Sequence, residues 1–201
     1  MISEKRRNRF KQVASQRFQD VVVLENIHDP HNAMAAMRNC DGFGVQTVHF
    51  VFETEKQFNP KELGKITSSS ANKWIDVFIW NTVEECLANL KEQGYQLLAT
   101  VINPETHTLA EVDFNRQKSA IVFGNEGFGI SDTAKQMADE SFYISMSGFV
   151  DSLNLSVSVG IVLYELYRQR EERQKFVLSK QEQKALMKKW INNEIHKKYR
   201  L

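Results

Sequence analysis

Three short polar stretches carry side chains that could orient, bind or ionise a ligand. Asn32 and Arg38 lie in the first, Gly124-Asn125-Glu126-Gly127-Phe128-Gly129 forms the second, and Ser152 and Asn154 stand in the third. Each follows an apolar run and precedes a stretch that reads as helix, as when a strand ends in a loop that opens a helix. Arg38 interrupts an apolar helical face. Its planar guanidinium suits bidentate phosphate binding, and equally an ordinary surface ion pair. Six residues separate it from Asn32, which is not a same-face helical repeat, so the two need not touch one ligand from the same subunit.

The glycines of the second stretch do not follow the dinucleotide fingerprint Gly-x-Gly-x-x-Gly, and no lysine makes it a P-loop. They would let backbone approach a ligand closely while Glu126 fixes the loop by accepting hydrogen bonds; an ordinary strand-to-helix turn uses the same residues. Ser152 is a natural helix N-cap, which leaves Asn154, two residues on, without a capping duty. The context is not the Gly-x-Ser-x-Gly elbow of hydrolases. The five histidines lack zinc-type spacing, His28 and His31 read as turn residues around Asp29-Pro30, and no metal site is expected.

Strands are expected at Val21–Leu24, Val45–Phe52, Asp76–Trp80, Leu97–Ile102, Ala120–Phe123 and Phe142–Met146. Helices are expected over Asn32–Cys40, over Val83–Gln93 with Thr82 and Glu85 as a capping box, and over Ser131–Ala138. A long helix runs from near Ser152 to about Phe176, and a last one from about Ser179 to Lys198. This alternation predicts an α/β fold with a mostly parallel, Rossmann-like sheet, whose ligands sit beyond the carboxyl ends of the strands.

The formal net charge of +1 hides a division along the chain. Residues 1–20 carry six Lys/Arg against two Asp/Glu, and residues 166–201 carry eleven against four, whereas the middle carries nine against nineteen. Basic ends around an acidic centre suit arms that engage a polyanion, and equally the solvated faces of terminal helices. No apolar run reaches the roughly 20 residues of a membrane span, and the basic start is followed by polar residues rather than a signal-peptide core. Cys40 and Cys86 alone make a disulfide scaffold or cysteine zinc site an unsuitable reading, and point to a reducing cytoplasm.

The three loops resemble the three motifs of the SpoU family of RNA 2′-O-ribose methyltransferases, most closely its TrmH branch. The resemblance rests on His31-Asn32-Ala33-Met34-Ala35-Ala36-Met37-Arg38 with Gly42-Phe43-Gly44, on Ile121 through Ile130, and on Ile144-Ser145-Met146-Ser147-Gly148 with Ser152 through Ser158. It covers about residues 20–168. One position departs: Ser145 stands where the family has proline, losing a fixed φ and adding a hydroxyl.

The resemblance implies a domain over 21–168 with a C-terminal trefoil knot at about 97–166, between basic helical extensions at 1–20 and 169–201. It implies a homodimer that binds S-adenosylmethionine and methylates RNA, with a D-loop guanosine of tRNA as the substrate of this branch. Arg38 matches the family's catalytic arginine, and Asn32, Glu126, Ser152 and Asn154 match its other polar site positions. The cofactor would lie against Thr100, Gly124, Asn125, Gly127, Ile144, Met146 and Leu153. Arg6, Arg7, Arg9, Lys11, Arg17, Arg168 and Arg170 form the expected RNA-binding set. The alternatives are methylation of ribosomal RNA or another tRNA position, an RNA-binding relative without cofactor affinity, and, most distantly, a nucleotide-dependent oxidoreductase.

Overall fold

A computed structural model describes residues 2–63, 73–103 and 105–198. Seven strands form one sheet in the order β3-β2-β1-β6-β4-β7-β5. They are β1 (Phe18–Glu25), β2 (Val45–Val51), β3 (Asp76–Trp80), β4 (Gln96–Thr100), β5 (His107–Thr108), β6 (Ser119–Phe123) and β7 (Glu140–Tyr143). Every pairing is parallel. Such a sheet is covered on both faces, and so its central strands β1 and β6 are almost wholly buried.

The helices are α1 (Glu4–Ala14), α2 (Pro30–Gly42), α3 (Pro60–Leu63), α4 (Val83–Glu92), α5 (Asp132–Met137), α6 (Leu155–Arg173) and α7 (Lys180–Lys198). On one face, Ala33, Ala36, Met37 and Cys40 of α2 and Val159, Val162, Leu163 and Leu166 of α6 pack on Val22, Leu24, Ile121 and Phe123. On the other, Val83, Cys86, Leu87 and Leu90 of α4 and Ala134 of α5 pack on Val21, Val23, Ala120 and Val122. Side chains alternate across a strand, so β1 and β6 feed both cores.

That arrangement fixes where a ligand can enter. The connection after β1 passes through α2 on one face, while the connection after the adjacent β6 passes through α5 on the other. Between diverging connections a crevice opens beyond the strand ends.

Several expectations change. β5 is two residues long, too short to leave an alternation in sequence. The strand expected over 142–146 lies instead at Glu140–Tyr143. The long helix begins at Leu155, not near Ser152, and stops at Arg173, where Gln174 takes left-handed backbone, as does Phe176. The turned chain then runs beside the start of β1, with Gln19 N–H donating to Phe176 O at 2.7 Å and Leu178 N–H to Arg17 O at 2.9 Å.

The terminal helices meet. Phe10 and Ala14 of α1 pack with Leu186 and Trp190 of α7 in a third apolar cluster.

Candidate functional site

β1 ends at Glu25, and the left-handed backbone of Asn26 (φ 51°) then turns the chain out of the sheet. Asn26 Oδ1 accepts from Glu53 N at 2.8 Å and Thr54 N at 3.0 Å, tying this loop to the one after β2. Asp29 then caps α2 by accepting from His31 N at 2.8 Å, and Pro30 opens the helix without needing an amide partner.

The loop after β6 closes on itself. Asn125 and Gly129 exchange backbone hydrogen bonds at 2.9 Å each, and Asn125 Oδ1 accepts from Gly127 N at 2.7 Å and Phe128 N at 3.1 Å. Gly129 has φ 71°. A Cβ on Gly124 would lie 2.1 Å from the Gly129 carbonyl carbon, so glycine at 124 is required by the loop itself.

Asn125, not Glu126, therefore fixes this loop, which corrects the expectation from sequence. Glu126 reaches across to the loop after β1. It accepts from His28 N at 3.1 Å, Asp29 N at 3.5 Å and Asn32 Nδ2 at 2.9 Å. Asn32 Oδ1 in turn accepts from Asn154 Nδ2 at 2.9 Å. One continuous chain, Asn154–Asn32–Glu126, joins three loops that are far apart in sequence.

The capping assignment reverses. Asn154 is the N-cap of α6, accepting from Ser156 N at 2.9 Å and Ser156 Oγ at 2.6 Å. Ser152 is exposed and outside the helix. Asn154 thus does two jobs, its oxygen capping the helix and its amide nitrogen orienting Asn32.

Arg38 lies elsewhere on α2. Six residues at 1.5 Å rise put it about 9 Å along the helix from Asn32 and on a different side. It is exposed and makes no ion pair among the described residues. With Ala35, Phe43, Val157, Ile161 and Tyr164 it lines an open groove between α2 and α6. Within the chain, Arg38 does not join the hydrogen-bonded group of Asn32, Glu126 and Asn154.

The residues expected to hold a cofactor gather more closely. Thr100 ends β4, Gly124, Asn125 and Gly127 follow β6, and Ile144 and Met146 follow β7. These three strands are neighbours in the sheet. Leu153 lies just before α6. The Thr100 hydroxyl donates to Val122 O at 2.9 Å, which anchors the end of β4 to β6. Ser145 through Leu153 make no backbone–backbone hydrogen bond among the described residues, and Met146 is exposed.

The expected RNA-binding set divides. Arg7, Arg9 and Lys11 are exposed on α1. Arg6 pairs with Glu194 at 2.7 Å, and Arg168 with Glu165 at 2.7 Å, both at the surface. Arg17 and Arg170 are buried and cannot reach a phosphate. Arg17 is held by Asp41, and Arg170 by Asp20 at 2.5 Å with both side chains fully covered.

His28 and Glu55 were not among the residues marked from sequence as functional. His28 Nδ1 lies 3.0 Å from Glu55 Oε2, and Asn125 Nδ2 lies 3.5 Å from the other Glu55 oxygen. The pair spans 27 positions with no periodicity to expose it.

Glu126→Gln should lower kcat/KM of the methyl transfer that the resemblance implies by about 10–10²-fold, because the neutral amide keeps one acceptor oxygen but turns a donor either toward the His28 amide or toward those of Asp29 and Asn32. Steady-state kinetics beside a thermal melt tests this. A rate within twofold of wild type would remove Glu126 from the site.

The sequence profile described as the SpoU rRNA Methylase family matches residues 19–164. The tRNA (guanosine(18)-2′-O)-methyltransferase of Thermus thermophilus is 37% identical over 171 residues, covering 84% of each chain. The crystal structure of the Aquifex aeolicus TrmH/SpoU tRNA modifying enzyme superposes with a TM-score of 0.82 at 32% identity, covering 96% of this chain and 98% of that one. An rRNA methyltransferase from Sinorhizobium meliloti, solved with AdoMet bound, shares the fold with a TM-score of 0.68 at 23% identity, over 79% of this chain and 59% of its own.

Proposed function

The chain belongs to the SpoU methylase family, and on that premise we propose that it transfers a methyl group from S-adenosylmethionine to the 2′-hydroxyl of guanosine 18 in the tRNA D-loop. The observation that carries this reading is the Asn154–Asn32–Glu126 chain at the carboxyl edge of the sheet. It fixes amide and carboxylate groups from separate loops before any ligand arrives, as positioning catalysis requires.

S-adenosylmethionine, when bound, supplies a methyl group activated by its sulfonium. Thr100, Gly124, Asn125, Gly127, Ile144, Met146 and Leu153 would hold it. Their surroundings fit: the Ser145–Leu153 backbone offers donors and acceptors not spent on one another, beside the apolar Ile144 and Met146 side chains.

A 2′-hydroxyl must lose its proton as it attacks. A guanidinium is a poor base, but that of Arg38 stabilises the developing alkoxide while a phosphate or water takes the proton. Asn32 and Asn154 orient the ribose and Glu126 holds the loop after β1; Ser152 lies exposed before α6, a position open to substrate contact.

We infer that the enzyme works as a homodimer in which Arg38 of one protomer completes the other's site. Arg38 is separated from the polar chain within one protomer, and Val157, Ile161 and Tyr164 beside it are exposed apolar side chains. The interleaved order β1-β6-β4-β7-β5 supports a trefoil knot over about 97–166. The methyltransferase domain then covers about 21–168. The exposed Arg7, Arg9 and Lys11, with Arg6 on the same helix and Arg168 on α6, supply a basic surface for tRNA. No helix among the described residues is long and apolar enough to cross a membrane; a tRNA substrate would place the protein in the cytoplasm.

The test is transfer of labelled methyl to a tRNA transcript and to the same transcript carrying 2′-deoxyguanosine at position 18. Label is expected in the first and absent from the second. Equal labelling of both would overturn the assignment of the acceptor.

A further inference from the structure

The polar edge that receives the ribose is crowded with carboxylates. Glu126 comes from the loop after β6, Glu55 from the loop after β2, and Asp29 from the start of α2. An RNA backbone brought against them meets like charge, which costs affinity unless a cation stands between.

Among the described residues, one side chain in contact with this group can supply that cation. His28 follows the turn after β1, with its backbone N–H on Glu126 Oε2 at 3.1 Å and its Nδ1 3.0 Å from Glu55 Oε2. Its side chain is 76% exposed. Nε2 has no hydrogen-bond partner among the described residues. A carboxylate that accepts from Nδ1–H fixes the ring orientation, and in the imidazolium form Nε2–H is then an outward donor.

We propose that His28, oriented by Glu55, is an RNA-positioning residue whose Nε2–H grips a phosphate of the tRNA beside the methylated ribose. This rests on the reading of the chain as a tRNA methyltransferase. His28 turns a carboxylate-rich rim into one that admits a polyanion, and its backbone bond to Glu126 couples that grip to the loops holding Asn32.

The electrostatics fit. The hydrogen bond and charge of Glu55, reinforced by Glu126 and Asp29, raise the imidazole above the ordinary histidine value. The cation is therefore present below the raised value and lost as pH rises through it, so tRNA affinity should fall with rising pH.

The experiment is tRNA binding by wild type, His28→Gln, His28→Lys and Glu55→Gln, across salt and from about pH 6 to about pH 9. Methyl transfer by wild type is measured alongside. His28→Gln should weaken tRNA binding about fivefold near neutral pH. It should also reduce the slope of log affinity against log salt by about 0.7–0.9, the loss of one phosphate contact. His28→Lys should restore affinity and slope and remove most of the decline with pH. Glu55→Gln should move that decline to lower pH.

Binding by His28→Gln within twofold of wild type, with an unchanged salt slope, would overturn the proposal while leaving an active wild type as a methyltransferase. So would weakened binding that His28→Lys does not restore, because the role would then be one of shape. A wild type that transfers no methyl to tRNA would overturn the proposed function and carry this inference down with it.

Discussion

Arg38→Ala is expected to lower kcat/KM for methyl transfer by about 10²–10³-fold, the usual loss when one preorganised donor to a developing oxyanion is removed. Arg38 is exposed and carries no ion pair among the described residues, so its loss should hardly touch folding. The melting temperature should stay within about 2 °C of wild type. Calorimetry should find S-adenosylmethionine affinity unchanged, because none of the residues proposed to hold the cofactor lies on α2. Arg38→Lys keeps the charge but loses the planar fork, and should recover only part of the rate. If Arg38 acts across a dimer interface, mixing Arg38→Ala with an inactive Asn32→Ala protein should restore activity in the heterodimer. A rate within twofold of wild type for Arg38→Ala, in a folded protein, would dismiss its role.

Asp20→Ala is expected to cost about 3–5 kcal/mol of stability. Asp20 accepts from Arg170 Nε at 2.9 Å and from Ser119 N at 2.7 Å, all within the interior. Arg170 also donates to Gln117 O at 2.8 Å and lies 4.2 Å from the Phe176 ring. Removing the carboxylate strands a buried guanidinium and a buried amide, a far larger penalty than the pair itself is worth. In a chain of this size the melting temperature should fall by about 10 °C. The double variant Asp20→Ala/Arg170→Met removes the stranded charge and should recover much of the loss. A surface role for Arg170 in binding RNA would instead leave the single variant's melting temperature unchanged.

Arg170 shows where sequence reasoning ran out. Counting Lys and Arg at the two ends treats every cation alike, yet Arg17 and Arg170 are structural groups held by Asp41 and Asp20. Their partners lie 24 and 150 positions away, and no local pattern reveals such pairing. The same holds for α1 and α7, whose contact through Phe10, Ala14, Leu186 and Trp190 unites opposite ends of the chain.

Local order was legible where it depends on neighbours. Val21-Val22-Val23-Leu24 marks a buried strand, and Thr82 caps α4 as its place before Val83 suggests, accepting from Glu85 N at 3.3 Å. Strand-to-helix alternation placed the three polar loops at one edge. What they do to one another was not legible. Glu126 serves the loop after β1 rather than its own, and Asn154 takes the cap that Ser152 was expected to fill. Both depend on how far one strand end lies from the next, which spacing along the chain does not encode.

The most direct measurement is mass-spectrometric mapping of nuclease fragments from bulk tRNA after incubation with the protein and isotopically labelled S-adenosylmethionine. One labelled methyl on the ribose of guanosine 18 is the expected result. Label on a base, at another nucleotide, or nowhere in the tRNA would contradict it.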